Sequence, residues 1–505
     1  MKKFLLNRFI CLRLLLIVTA LPTGLQAAAI PQRPEKLSFP PLKYEPPNPV
    51  DFRVQLKSGP VAYVLPDREL PLVNIVVFVR TGQYLEPAGK EGLANLTGWL
   101  LTHGGAGTNT AEQLEERMAY LGADFDSGIG DTRGTLSLNL LSKDLDEGLE
   151  LLKDALAQPR FQDDKIKLRK EQLLQEMKQR NDDSSAIEGR EKGFLTQGED
   201  FWANRYSTAQ SLESISQEDI EAFHRKWFVP SNFIIAASGD FDRDQLIAKL
   251  ERLFSAWPFK GETPPPVPTN TTFAASGIYL VNKPEVNQGR VSMMLPGIRR
   301  DNPDIYAVTV MNDILGGGGF TSRIVNRVRS DEGLAYQAGS RFPGGVYYPL
   351  SFTALFQSKS RTVPYAISII EEEMKKIAAA PVTDEELKIS KNAFIERFPR
   401  NFATKKQTAA IFADDEFTGR YAAEPDYWKQ FRSHIKAVGK EDIERAAKKY
   451  LNPERLVILI VGNEQDILLG HPDHPVKLSD LGGGKLTNVP LRDPLTMLPM
   501  KSKAD

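Results

Sequence analysis

A stretch of this chain is written twice. Residues 216–242 read SQEDIEAFHRKWFVPSNFIIAASGDFD, and residues 439–465 read GKEDIERAAKKYLNPERLVILIVGNEQ. The Glu-Asp-Ile, Pro and Gly positions match at one constant offset of 223 residues: Glu218 with Glu441, Pro230 with Pro453, Gly239 with Gly462. Each copy reads as a helix, a Pro-marked turn and an apolar strand that closes at glycine. A period this long means domain duplication and not a solenoid, so the chain is expected to fold as two homologous halves.

Between the copies, Phe259–Phe273 holds Pro264, Pro265, Pro266 and Pro268, the composition of an extended linker. That places a first lobe at 29–258, a linker at 259–273, a second lobe at 274–470 and a Pro-, Gly- and Lys-rich flexible tail at 471–505. Within the first lobe, Val61–Leu65 and Val73–Val79 read as strands and Glu91–His103 and Ala111–Leu121 as helices. A strand pair follows around Gly134–Leu141, then helices over Leu145–Leu156 and Asp164–Asn181. Helices grouped against a mainly antiparallel sheet make the fold class α+β, with two homologous lobes, each of duplicated αβ domains. Residues 1–28 read as a signal peptide: Lys2, Lys3 and Arg8, an apolar run from Phe9 to Ala20, then Ala27, Ala28 and Ala29. The run is short for a membrane span of about 20 residues, and Arg13 interrupts it. The chain is therefore expected to be exported, periplasmic or extracytoplasmic, with no membrane span once the signal is removed.

Composition removes several chemistries. The balance of 64 Lys+Arg against 65 Asp+Glu leaves no excess for a nucleic-acid-binding face. A single cysteine, Cys11, excludes a disulfide framework, a Cys-based zinc site and a cysteine nucleophile. Two segments remain for chemistry. Residues 91–105 read EGLANLTGWLLTHGG, a helix ending at His103 beside two glycines. Residues 315–323 read LGGGGFTSR and are followed at 329–336 by RSDEGLAY. Taken alone, the glycines mark a helix end and a close backbone approach. They lack the Lys-Ser/Thr of a phosphate loop. Arg329 then reads as a surface arginine on a helix and Tyr336 as a half-buried tyrosine in a strand.

Together these segments and the two-half layout resemble the insulinase-like zinc peptidases, family M16, from about Val61 to Ile467. The resemblance implies a clamshell of two lobes and lays His-x-x-Glu-His of active members on Asn95, Gly98 and Trp99. The family's third ligand, a glutamate on a later helix, falls on Glu176. Two histidines four apart share a helix face and can grip zinc, and the glutamate between them activates water. Asparagine is a poor zinc ligand, glycine accepts no proton and indole offers only an N–H. The second segment is similar to the family's C-terminal signature, in which an arginine and a tyrosine seven residues on, here Arg329 and Tyr336, project toward the active site as donors to a substrate carbonyl.

What the resemblance implies is an exported, non-catalytic subunit of a heterodimeric zinc metallopeptidase. It would bind no cofactor itself, with zinc expected in the partner subunit, and would be inactive alone. The pair would act on a peptide or unfolded-protein substrate, added along the hairpin Gly122–Leu141. Two alternatives stand beside this one: a non-enzymatic peptide-binding scaffold, and an active metallopeptidase with an unorthodox site.

Overall fold

The computed structural model describes residues 43–482 and 484–501; the signal peptide expected over 1–28 lies outside them. Each copy of the repeat ends in a strand that organises one sheet. Strands β1 (Arg53–Gln55), β2 (Val61–Pro66), β3 (Leu72–Val79), β4 (Asp124–Ile129), β5 (Gly134–Leu141) and β6 (Phe233–Gly239) form a six-stranded sheet in the order β1-β2-β6-β3-β5-β4. A second sheet has seven strands: β7 (Gly277–Asn282), β8 (Gln288–Arg299), β9 (Ala335–Arg341), β10 (Gly344–Gly345), β11 (Leu350–Lys359), β12 (Val457–Gly462) and β13 (Leu486–Asn488). Its order is β13-β7-β12-β8-β11-β9, with β10 beside β8. In both sheets the repeat strand runs parallel to one neighbour and antiparallel to the other: β6 with β2 and β3, β12 with β7 and β8. The halves are thus one mixed sheet each. Among the described residues one sheet per half uses every strand, so the two sheet-containing halves are the units that repeat.

Strands β6 and β12 are buried along their whole length, so both faces of each sheet need cover. On the first sheet, one face carries helices α1 (Leu93–His103), α2 (Ala111–Leu121) and α3 (Leu145–Ala157). Here Leu96, Leu100, Leu149 and Leu152 meet Leu136, Leu138 and Ile75 in one cluster. Helix α4 (Asp163–Lys178) adds Ile166, Leu173 and Met177 to it.

The opposite faces are covered by exchange. Helix α5 (Ser184–Gln197), from the first half, sets Ile187 among Val281, Met294, Val457, Leu459 and Val461 of the second sheet. In return, helix Lys405–Phe417 sets Ala409, Phe412, Ala413 and Phe417 on Tyr63, Leu65, Phe78, Ile234 and Ala236 of the first. A carboxylate pins each helix. Glu188 accepts from Arg290 Nε at 2.8 Å and Ser292 Oγ at 2.6 Å, while Glu416 accepts from Arg53 Nε and the Tyr63 hydroxyl, each at 2.9 Å.

The residues over 259–273 have no regular structure but are strapped to the first half. Trp202 Nε1 donates to Pro268 O at 3.0 Å and Asn232 Nδ2 to Glu262 O at 2.8 Å. The tail beyond 470, expected to be flexible, is seated as far as the described residues run. β13 pairs with β7, and Arg492 is buried against Glu191 and Glu199 with its guanidinium 3.9 Å from the Phe194 ring centroid. A tail rich in Pro and Lys packs here because its arginine finds carboxylates already waiting on and beside α5. Among the described residues no helix is long and apolar enough to cross a membrane.

Candidate active-site cleft

The start of α1 is fixed by Glu86, whose carboxylate accepts from Gly92 N at 3.1 Å and Ala94 N at 2.7 Å. Burial pushes this carboxyl up to about 7, against the pull of both donors. Further along, α1 lies flush on the edge strand β4. A Cβ at Gly98 would stand 2.4 Å from Ile129 N and 2.8 Å from Gly128 C. Ser127 Oγ donates to Gly98 O at 2.6 Å and meets Thr102 Oγ1 at 2.9 Å. The glycine is dictated by that approach. The second half repeats the device: helix Ile305–Asn312 runs into a π-helical turn, Asp313–Gly317. There a Cβ at Gly316 would stand 2.5 Å from Ser340 Oγ and 2.6 Å from Ser340 N on β9.

The other positions of the motif converge on a residue that the sequence did not single out. Arg169, on α4, donates from Nη1 to Glu176 Oε1 at 3.1 Å and from Nη2 to Asn95 Oδ1 at 3.2 Å. Its guanidinium carbon stands 5.7 Å from the Trp99 ring centroid. Trp99 in turn stacks on His103, centroids 4.4 Å apart and planes 11° apart. A side chain two helical turns before Glu176 shares its face, and that spacing was the available signal. These residues do not fit zinc: the Asn95 amide oxygen and the Glu176 carboxylate already receive a cation, and the indole has no lone pair to offer. Among the described residues no three His, Cys, Asp or Glu side chains are grouped to hold a metal ion. Asn95, Trp99 and Arg169 line a cavity of about 700 Å³ with Asp126 and Asp131. Its far wall comes from the second half, where Arg133 Nη1 donates to Asp414 Oδ1 at 2.5 Å across the gap.

Arg329 and Tyr336 lie together elsewhere. Arg329 sits on a second π-helical turn, Asn326–Asp331, and Tyr336 on β9. The Arg329 guanidinium carbon is 4.6 Å from the Tyr336 ring centroid and 4.5 Å from that of Phe320, a residue missed in the sequence. Tyr336 is not half-buried: it is 78% exposed, and Phe320 66%, because β9 ends its sheet and turns that side chain outward. No ion-pair partner of Arg329 occurs among the described residues. The trio lines a cavity of about 430 Å³, separate from the one at Asn95 and Trp99. Strand β4, inside the hairpin expected to receive peptide, is likewise the last strand of its sheet, so its outer row of amides has no strand partner.

Residues 64–191 match the family model for insulinase (peptidase family M16), and residues 214–394 match the model described as the peptidase M16 inactive domain. A non-peptidase homolog, YmxG, of Helicobacter pylori is 23% identical over 411 residues, covering 78% of this chain and 90% of its own length. An uncharacterized zinc protease of Rickettsia bellii is 25% identical over 294 residues, 56% of this chain and 70% of its own. Among solved structures, the peptidase M16 inactive domain from Pseudomonas fluorescens superposes with a TM-score of 0.72 at 22% identity, covering 81% of this chain and 97% of that one. The periplasmic protease PqqL from Escherichia coli gives 0.68 at 16% identity, over 82% of this chain and 45% of that one.

Proposed function

From the premise that the chain belongs to peptidase family M16 and is of its inactive kind, we propose that it is an exported, non-catalytic subunit. It lends Arg329 and Tyr336 to a zinc-bearing M16 partner that cleaves peptides or unfolded protein. The observation that carries this reading is an asymmetry between the halves. The first half's motif is filled by Arg169, whereas the second half keeps a guanidinium and a phenol side by side and open to solvent. In the composite site the chain itself binds no metal. The Tyr336 hydroxyl donates to the oxygen of the scissile carbonyl, and the Arg329 fork holds the neighbouring backbone.

The test is turnover by the reconstituted pair, with assembly checked by size-exclusion chromatography on the same samples. Tyr336→Phe is expected to lower turnover about 10²–10³-fold, the effect of losing one preorganised oxyanion donor, while the pair still assembles. Arg329→Lys is also expected to be costly, since an ammonium does not reproduce the planar fork. Wild-type turnover in assembled Tyr336→Phe and Arg329→Ala pairs would instead support a peptide-binding scaffold.

A further inference from the structure

A third cavity, of about 580 Å³, lies between α5 and the inner face of the second sheet. It shares Asp131 with the cavity at Asn95 and Trp99, and it shares Arg341 and Leu355 with the cavity at Arg329 and Tyr336. It therefore lies beside both. Two cations face it, Lys192 from α5 and Arg341 from the end of β9. Neither has an ion-pair partner among the described residues. The carboxylates of α5 are engaged elsewhere: Glu188 holds Arg290 and Ser292, and Glu191 holds Arg190 and Arg492. Asp131 is the one carboxylate on the wall, so the lining is left with an excess of positive charge. Polar donors complete it. The Tyr348 hydroxyl, on the same wall, accepts from Gln197 Nε2 at 3.5 Å and keeps its own O–H as a donor.

We propose that this middle cavity is a carboxylate-binding subsite, in which Lys192 and Arg341 hold an anionic group of a peptide lying along the cleft. The proposal rests on the reading of the chain as a peptide-binding M16 subunit and adds a preference to it. Two cations with only Asp131 as counter-charge on the wall of a half-enclosed cavity gain most from a second carboxylate, which accepts charge-assisted hydrogen bonds from both. A C-terminal carboxylate and an Asp or Glu side chain present the same chemistry.

Titration calorimetry on the purified chain separates these sources. One neutral peptide of about twelve residues, about 40 Å when extended, is used in three forms: blocked at both ends, with a free C-terminal carboxylate, and blocked with one central Glu. At least one anionic form is expected to bind about tenfold more tightly than the neutral form, the size of one charge-assisted hydrogen bond. The form that gains identifies the source. Lys192→Met with Arg341→Met is expected to bring the anionic forms down to the neutral level, and Lys192→Arg to keep the preference, with thermal melts confirming that each variant is folded. Equal binding of all three forms, or a preference that survives in the double variant, overturns the subsite while leaving peptide binding intact. Binding of none of the forms overturns both.

Discussion

Arg169 brings a fixed positive charge to the positions where the resemblance puts zinc. Its pair with Glu176 is exposed on the carboxylate side, so by itself it is worth at most about 1 kcal/mol. The contact with Trp99 adds about 0.5–1 kcal/mol. What it does is occupy the ligand set. Asn95→His with Trp99→His would give two imidazoles beside Glu176, yet the doubly changed chain is expected to hold no zinc while Arg169 stays, and to gain it only when Arg169→Ala is added. Elemental analysis decides this, and stoichiometric zinc with Arg169 in place refutes it. Gly98→Glu is expected to fail separately, because its Cβ meets the β4 backbone. Forced overpacking of this kind costs about 1–3 kcal/mol or more, so peptidase activity does not return with the motif. Glu86 supplies a pH signature for the same helix. Its folded value, about 7, lies above the ordinary carboxyl value, so its contribution is full below about pH 4.5 and is lost as pH rises through 7. Glu86→Gln keeps an acceptor for the two amides and removes the titration. Urea unfolding is therefore expected to show the variant gaining on the wild type between pH 5 and pH 8. A constant difference across that range would refute the assignment.

The exchanged helices show what the sequence could and could not disclose. Strands β6 and β12 were legible because an unbroken apolar run closing at glycine has few other homes. Helix α5 was not, because three of its four buried residues, Glu188, Arg190 and Glu191, are charged. A polar stripe on a helix reads as a solvated face, and only the partners brought by the other half turn it into an interface. The tail was misread for the same reason, since Arg492 is buried against carboxylates that lie about 300 residues earlier in the chain. Around the cleft, the sequence pointed to Asn95, Gly98, Trp99 and Glu176 but not to Arg169, since its contacts exist only once α1 and α4 are packed. Phe412→Ala, in the reciprocal helix at 0% exposure, is expected to cost about 3–5 kcal/mol. Glu188→Ala, which strips Arg290 and Ser292 of their acceptor, is expected to cost about 2 kcal/mol. Denaturant midpoints at constant slope check both, and losses below 0.5 kcal/mol would mean that these helices are not structural.

Across the whole molecule, the exchange changes what the two-lobe layout means. Lobes joined only by a linker could fold apart and swing on a hinge. Here each sheet's second face is finished by the other half, so separation would expose Phe412, Phe417, Tyr63 and Leu65 on one side and Ile187, Val457, Leu459 and Val461 on the other. Large buried side chains of this type contribute about 1.5–3 kcal/mol each, which is more than a hinge-opening fluctuation can supply. Arg329 and Tyr336 are therefore not expected to swing across to Asn95 and Trp99, which is consistent with the proposal that they serve a partner's site. A protease site engineered into 259–273 tests the point. After cleavage the two fragments are expected to co-elute at the size of the intact chain and to separate only in denaturant. Each purified half is then expected to lack a cooperative melt, and an equimolar mixture to recover one. Fragments that part without denaturant and melt cooperatively on their own would show two self-sufficient lobes, and the helix exchange would then be a surface contact rather than the second half of each core.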